Sequence, residues 1–353
     1  MDINDPVFPH QIGIVEGLAK HWPKVYVITN KELPESVELP RNVKVYSLNW
    51  QNSSKLILPF KLLYFFLKIW LKEPKIVIFS HMTETNSALL APVTKLLRIK
   101  HYLWYAHTSK PLRIRLCLLL VTKIVTSTQD SFPISHKKVI SIGQGVDENI
   151  FLHSKNRNYN RVKFGIHVGR IDPSKRIDEL ISIFLQNFKS EDSKIQLVGS
   201  PSKNNFDYYQ MLKNKYKMPI DSGRVCFLGN LNQEKIRKLL NDSDFFLHGF
   251  QGSLDKSLIE ATLTGITVIT CNNEYLKYFP TLIDRNYLND IEYLGNQIDF
   301  LKNMSINSKI SLANQRYSVA LQNHSRSQWL HKLNNILNSG GNSNFFAKDK
   351  IAL

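Results

Sequence analysis

The chain of 353 residues is 43% hydrophobic and 21% charged, which fits an ordinary globular protein long enough for two packed cores. Its three cysteines, Cys117, Cys226 and Cys271, lie far apart and form neither a metal-ligand pattern nor a disulfide framework, as expected in a reducing cytoplasm. The net charge of +17, split into +8 up to residue 150 and +9 beyond it, calls for an anionic partner: nucleic acid, an anionic membrane surface or a phosphorylated small molecule. No Arg-rich tail or Gly-Arg tract supports nucleic acid.

Met1–Pro6 is polar and loop-like, and the first helix is expected to start near His10. An α/β domain normally opens on a buried strand; its absence here suggests a start downstream of the natural one, or a domain pruned at its centre. Apolar, β-branched runs then alternate with helical patterns to the end of the chain, the signature of parallel sheets covered by helices. The first-half strands are read at 24–29, 42–46, 75–79, 101–105, 123–126 and 138–142, and those of the second half at 163–168, 194–198, 224–228, 244–248 and 267–271. The expected fold is α/β, with two doubly wound Rossmann-like domains facing a cleft. Residues 1–152 form the first domain, with its opening strand missing; 153–160 read as a polar linker and 161–317 as the second domain. A closing helix is expected over 318–338 and a flexible Gly-rich tail over 339–353.

Within the first half, Lys55 to Lys72 places Lys61, Lys68 and Lys72 at helical spacing among Leu, Phe, Tyr and Trp. The interruptions rule out a transmembrane span. Two readings stay open: a helix packed on the sheet, or a surface dipping into a bilayer interface.

Ligands of open parallel sheets bind beyond the carboxyl ends of strands, so the loops after strands are where chemistry is sought. After the strand at 163–168 come Gly169, which permits close backbone approach, and Arg170; Asp172-Pro173-Ser174 then starts a helix with Lys175 near its first turn. Two cations there can straddle a diphosphate, Arg as a bidentate fork and Lys as a movable point charge, unless they are merely a solvated pair. After the strand at 244–248, residues 252–265 read as a polar loop, a short apolar helix and a glycine stop at Gly265. Asp255 can cap that helix, and Glu260 lies about one and a half turns inside it. Free N–H groups of a helix N-terminus suit an anion, and a carboxylate behind them can accept two hydroxyl hydrogens, a pairing that suits a phosphate carrying a sugar. Asp242-Ser243-Asp244 spells a metal-chelating Asp-x-Asp, but it sits between a helix and a strand entrance, where turn and cap roles are expected. No metal site and no dinucleotide, phosphate-loop or zinc pattern is read.

The stretches Gly169-Arg170-x4-Lys175, Phe227-Leu228-Gly229 followed by a helix ending at 240–244, and Leu258-Ile-Glu260-Ala-x3-Gly265-x-x-Val268-Ile269 together resemble the donor domain of glycosyltransferase family 4, a GT-B fold. Trp104-Tyr-Ala-His107 and Gly143-Gln-Gly-Val-Asp147-x3-Phe151 in the first half are also similar to that family, so the resemblance covers nearly the whole chain. It implies a retaining transferase that moves a sugar from a nucleotide diphosphate sugar to an acceptor hydroxyl, with no cofactor. Arg170 and Lys175 would hold the donor diphosphate and ease its departure, and Glu260 would bind the ribose. His107 would lie near the donor sugar, where an imidazole can hydrogen-bond a hydroxyl or steady charge, although a lone histidine at a strand end is more often structural. Gly199, Gly229, Ser253, Leu254 and Lys256 complete the donor-binding set, and His10 and His81 are candidates for the acceptor side.

The family usually carries a second glutamate, contacting the transferred sugar, at the position that is Gly252 here. Asp255 in Gly252-Ser-Leu-Asp-Lys256 either takes over a sugar hydroxyl, with Lys256 touching the phosphate, or is a plain helix cap. A glycan or lipid-linked acceptor in cell-surface polysaccharide or glycolipid synthesis, and a cytoplasmic protein with peripheral contact to the inner face of the plasma membrane, follow from the family and the basic 55–72 segment; no nucleic-acid partner is expected. The alternatives are a GT-B protein that binds a nucleotide or glycan without transfer, and a GT-B nucleotide-sugar epimerase.

Overall fold

In the computed structural model, residues 10–34, 37–52, 54, 56–154, 157–285, 288–339 and 350–352 are described. The Met1–Pro6 loop, Lys55 and the Gly-rich stretch 340–349 lie outside them. The chain divides into two compact units, Met1–Gly145 with Arg326–Leu353, and Val146–Ser325.

The first unit carries a seven-stranded, all-parallel sheet. Its strands are β1 (Val25–Thr29), β2 (Val43–Ser47), β3 (Ile76–His81), β4 (Lys100–Trp104), β5 (Lys123–Thr126), β6 (Val139–Ser141) and, from the far end of the chain, β12 (Lys350–Ala352), in the order β2-β1-β12-β3-β4-β5-β6. Both faces are covered, which is why β3 and β4 read as nearly continuous apolar runs. Helix His10–Ala19 packs with Trp329, Leu333 and Leu337 of helix Arg326–Ser339 over Val25, Val77, Phe79 and Trp104. Leu62, Phe66 and Ile69 of helix Leu58–Lys72 cover Tyr26, Ile76 and Ile78, while Ile114 and Cys117 cover Leu103 and Ile124.

The second unit holds a five-stranded parallel sheet of β7 (Phe164–Val168), β8 (Lys194–Val198), β9 (Val225–Gly229), β10 (Phe245–His248) and β11 (Thr267–Thr270), in the order β11-β10-β7-β8-β9. From central β7 the chain runs outward through β8 to β9, then returns to β10 on the other side and on to β11. The order reverses between β7 and β10, so a crevice opens at their carboxyl ends. Helices Ile177–Asn187 and Asp290–Asn303 pack on one face; Lys256–Leu263 and Ile306–His324 pack on the other.

All eleven strands expected from the sequence are present within one or two residues; β12 is the difference. It fills the central slot between β1 and β3, pairing Val25 with Ile351 and Ile351 with Val77, where the opening strand is missed in the sequence. The tail is therefore not wholly irregular. The 318–338 helix is two helices, Ile306–His324 and Arg326–Ser339, because Ser325 leaves helical geometry (φ −64°, ψ 153°) to bridge with Val146. The 153–160 segment is not a free linker: the Arg157 guanidinium donates to the carbonyls of Leu240, Ser243 and Thr264, and the Tyr159 hydroxyl donates to that of Gly265, capping helix ends of the second unit. With Phe151 also in that unit's core, the units part at Gly145 and Ser325, not at 152 and 317.

Candidate functional site

The second unit gathers most of the expected donor residues at the β7–β10 crevice. Gly169 and Gly199 follow β7 and β8, Gly229 ends β9, and their backbones zip together: Gly169 N–H donates to Val198 O (2.9 Å) and Gly199 N–H to Gly229 O (2.8 Å). The approach is so close that a Cβ on Gly199, whose φ is +132°, would lie 1.9 Å from the Gly169 carbonyl oxygen. Beneath Gly169 lies the fully buried His167, whose Nδ1 lies 2.9 Å from Leu247 O. A carbonyl only accepts, so His167 carries its proton on Nδ1; burial holds its pKa down to about 3, and it is neutral.

Asp172 caps the next turn by accepting from Ser174 N–H at 2.9 Å. The turn is a short 3-10 segment, Pro173–Lys175, rather than the start of the following helix. Arg176 breaks the run at φ 58°, a conformation costly for a side chain, and is held there by ion pairs to Glu179 and to Asp290 (2.6 Å for the latter). The consequence is that Lys175 turns inward and is only 7% exposed, while Arg170 stays exposed at the strand end.

Lys175 Nζ meets the Asp255 carboxylate and stands 3.7 Å from the centroid of the Phe250 ring. Asp255 occupies the N-cap position of helix Lys256–Leu263 with extended backbone (φ −77°, ψ 138°), yet its side chain makes no cap hydrogen bond. Of the two readings left open for Asp255, the plain cap is thus excluded: its Oδ2 takes Lys175 and the Nε2 of His248 (3.3 Å) instead. Burial pushes the Asp255 carboxyl up, but Lys175 and His248 outweigh it and hold it below the usual carboxylate range. Glu260, mostly buried one turn further in, has Lys256 Nζ at 3.9 Å from its Oε1. Burial raises its pKa, Lys256 lowers it and Asp255 raises it again, leaving it above the ordinary value.

A glutamate at position 252, which the family resemblance leads one to expect, would need the Phe250 ring to move, because a Cβ there would lie 2.2 Å from its tip. The phenyl that fills this space is the one that packs on Lys175. Ser253 is buried and Leu254 is a core residue, so of these two the Leu254 side chain has no route to a ligand. The loop is pinned by a residue not foreseen from the sequence: the buried Asn272 donates its amide to the carbonyls of Phe250 (2.9 Å), Gly252 and Ser253 (both 3.3 Å) and caps the next helix through Tyr275 N–H. His248 is a second such residue, hidden in an apolar strand run.

Asp242-Ser243-Asp244 is used structurally. Both Asp244 oxygens accept from Arg161 Nε (2.8 and 3.1 Å), and Oδ2 also accepts from the backbone N–H groups of Lys163 and Phe164. Among the described residues no group of three or more His, Cys, Asp or Glu side chains could hold a metal ion.

In the first unit, His81 and Trp104 are register partners at the carboxyl ends of β3 and β4, with their rings stacked at 6.1 Å and 3°. Trp329 closes edge-on against both, so the His81 ring belongs to an aromatic cluster. His107 is exposed in the loop after β4, its ring edge-on to Tyr105 at 5.6 Å. His10 is the first residue of the first helix. The helix Leu58–Lys72 has two faces: Leu62, Phe66 and Ile69 are buried, whereas Phe60, Tyr64 and Leu71 are 72%, 58% and 75% exposed beside the exposed Lys68 and Lys72. None of the described helices is long and apolar enough to cross a membrane.

Residues 149–279, which hold this crevice, match the family described as glycosyl transferases group 1. No curated protein matches the chain by sequence. Among solved structures the chain is similar to HepE of Anabaena, crystallised with UDP and glucose (15% identity, 90% of this chain and 99% of that one, TM-score 0.68). It is also similar to a sucrose-phosphate synthase of Thermosynechococcus elongatus (14% identity, 93% and 91% covered, TM-score 0.73) and to a glycosyltransferase of Rickettsia africae (14% identity, 97% and 98% covered, TM-score 0.72). The fold is therefore α/β with two doubly wound units, the fold of the GT-B glycosyltransferases.

Proposed function

We propose that the chain is a retaining, metal-independent glycosyltransferase of family 4 that moves a hexose-type sugar from a nucleoside diphosphate sugar to an acceptor hydroxyl. The observation that carries this reading is the buried Lys175, turned into the β7–β10 crevice between Asp255 and Phe250, with Arg170 exposed at the same strand end. A desolvated cation beside an exposed guanidinium suits a diphosphate, and Glu260 behind the helix N-terminus suits the two ribose hydroxyls. The match of residues 149–279 to a transferase family, and the UDP and glucose held by HepE of Anabaena, support the same donor class. His107 is assigned to the transferred sugar, His81 and His10 to the acceptor side, and Lys256 to the phosphate. The acceptor is a glycan or lipid-linked sugar of the cell surface, met at the inner face of the plasma membrane; the exposed Phe60, Tyr64 and Leu71 beside Lys68 and Lys72 support contact with an anionic bilayer.

A second reading, a protein that binds a nucleotide sugar without transferring it, draws on Gly252, whose side-chain space Phe250 fills. One experiment separates the two. The purified protein is incubated with UDP-, GDP- and ADP-sugars, and release of the nucleoside diphosphate is followed; slow hydrolysis supports transfer, and binding without release supports the second reading. Arg170→Ala and Lys175→Ala each weaken donor binding by about 1.5–3 kcal/mol, the worth of one charge-assisted hydrogen bond. Unchanged diphosphate affinity in both variants refutes the site.

A further inference from the structure

We propose that His248 is the positioning residue of this pocket: its Nε2–H holds Asp255 so that the second carboxylate oxygen receives a hydroxyl of the transferred sugar. The inference rests on the donor reading above and deepens it.

The argument starts from protons. His248 is fully buried at the end of β10, after Phe245, Phe246 and Leu247, a place where each unbonded ring nitrogen is costly, so it matters whether both are bonded. Both are. Nδ1 lies 3.1 Å from Thr270 Oγ1, and Nε2 lies 3.3 Å from Asp255 Oδ2. Asp255 Oδ2 is a carboxylate oxygen, which only accepts, so its bond to Nε2 needs the ring hydrogen there, and Thr270, whose Oγ1 also accepts the Asn272 backbone N–H at 3.0 Å, donates its hydroxyl hydrogen to Nδ1. Nδ1 then accepts, and the ring proton belongs on Nε2, facing the carboxylate. The order Asn272 N–H, Thr270 hydroxyl, His248, Asp255 leaves one consistent tautomer and needs no charge on the ring. Burial lowers the His248 pKa, in keeping with that neutral form.

Why Asp255 needs this partner follows from Lys175. Oδ2 is shared by Lys175 and His248. A diphosphate in the crevice draws the Lys175 ammonium toward its own oxygens, and the Asp255 side chain, which makes no bond to its own helix, would then swing. His248, fixed on the strand, keeps it in place. Asp255 thereby stands in for a carboxylate that Gly252 cannot offer, three residues along the same loop.

The test uses the full chain and two variants. His248→Asn carries its amide at the level of Nδ1, keeping Thr270 and losing Asp255; His248→Gln reaches the level of Nε2 and can still donate to Asp255. Affinities are measured by calorimetry for UDP and UDP-glucose, GDP and GDP-mannose, and ADP and ADP-glucose. For the pair that the wild type binds, His248→Asn is expected to weaken the sugar nucleotide by about 10- to 100-fold, the worth of a hydrogen bond to a charged group, while the diphosphate alone changes by less than about threefold. His248→Gln restores most of the loss. If both ligands weaken together, or neither does, or Gln behaves as Asn, His248 is a core residue only and the proposal fails. If the wild type binds none of the three diphosphates, the donor reading itself fails, and this inference with it. Melting temperatures of both variants show whether a loss comes from unfolding, and nitrogen-15 spectra of the histidines read the tautomer directly: an Nδ1–H form of His248 overturns the proposal whatever the affinities.

Discussion

Replacing Asp255 by Asn tests the electrostatics of the crevice most directly, because it removes one charge and almost no volume. Lys175, 7% exposed, then loses its carboxylate. Breaking a buried ion pair from one side costs about 3–5 kcal/mol, and the Phe250 ring 3.7 Å away retains about 1–2 kcal/mol of attraction for the ammonium. With Asp255 itself 24% exposed, a net loss of about 2–3 kcal/mol is expected. For a unit such as Val146–Ser325, where each kcal/mol shifts the midpoint by about 2–4 °C, the melting temperature falls by about 5–10 °C. A nucleoside diphosphate supplies the missing anion, so ligand should recover most of the fall: the thermal shift on adding saturating UDP, GDP or ADP, whichever binds, is larger in Asp255→Asn than in the wild type by about the same 5–10 °C. Scanning calorimetry with and without ligand reads both quantities. Equal stability of variant and wild type, or equal ligand shifts, refutes the idea that Lys175 is held in the crevice for a diphosphate.

Other outcomes follow from the same structure. Asp255 titrates below its ordinary value when folded, so the folded state binds fewer protons; its contribution is complete above the ordinary carboxylate range, near about pH 4, and is lost as pH falls through the lowered folded value. The stability gap between wild type and Asp255→Asn should be flat from about pH 5 upward and narrow only below about pH 4, as urea melts across pH would show. Glu260 is raised by burial, so diol hydroxyls that bind its ionised form must drive off a proton in the window just above its ordinary range. Diphosphate affinity should decline there as pH falls, and Glu260→Gln should remove that part of the slope while leaving the titration of the phosphate itself; identical slopes would exclude Glu260 as a ligand. Gly252→Ala must displace the Phe250 ring from Lys175, at about 1–2 kcal/mol, and should cost much less in a Phe250→Leu background; additive costs in the double-mutant cycle would refute the contact. Removing residues 340–353 takes β12 out of the centre of its sheet, so backbone amides of Tyr26, Val27 and Ile76–Phe79 should lose hydrogen-exchange protection while those of β10 and β11 keep theirs.

The parallel sheets were legible because each strand is a short β-branched run buried on both faces, and that pattern is local. What escaped was non-local. Lys350–Ala352 is three residues long and follows a polar, Gly-rich stretch; only its partners in β1 and β3, more than 270 residues away, make it a strand. Ser325 sits in unbroken helical periodicity, and its break comes from pairing with Val146. The same division runs through the crevice. Gly169, Arg170, Lys175 and Glu260 stand at fixed offsets from recognisable strands and a helix start, so sequence places them. Whether Asp255 caps its helix or faces a ligand is decided by where Oδ2 points, and no spacing encodes that.

The departure at Gly252 also reads differently once the neighbours are in view. Taken alone, the loss of a carboxylate argues against catalysis. Phe250 fills the vacated space, packs on Lys175 and helps keep that cation out of water, while Asp255 returns a carboxylate to the loop and His248 and Thr270 hold it from below. Asn272 ties both halves together, pinning the Phe250–Ser253 carbonyls with its side chain and orienting the Thr270 hydroxyl with its backbone N–H. These positions thus depend on one another: a glutamate placed at 252 would need the ring moved, which would loosen Lys175, which would leave Asp255 with a single partner. On the proposal that Asp255 takes the sugar hydroxyl, exchanging Gly252 alone for glutamate should therefore lower function rather than restore it.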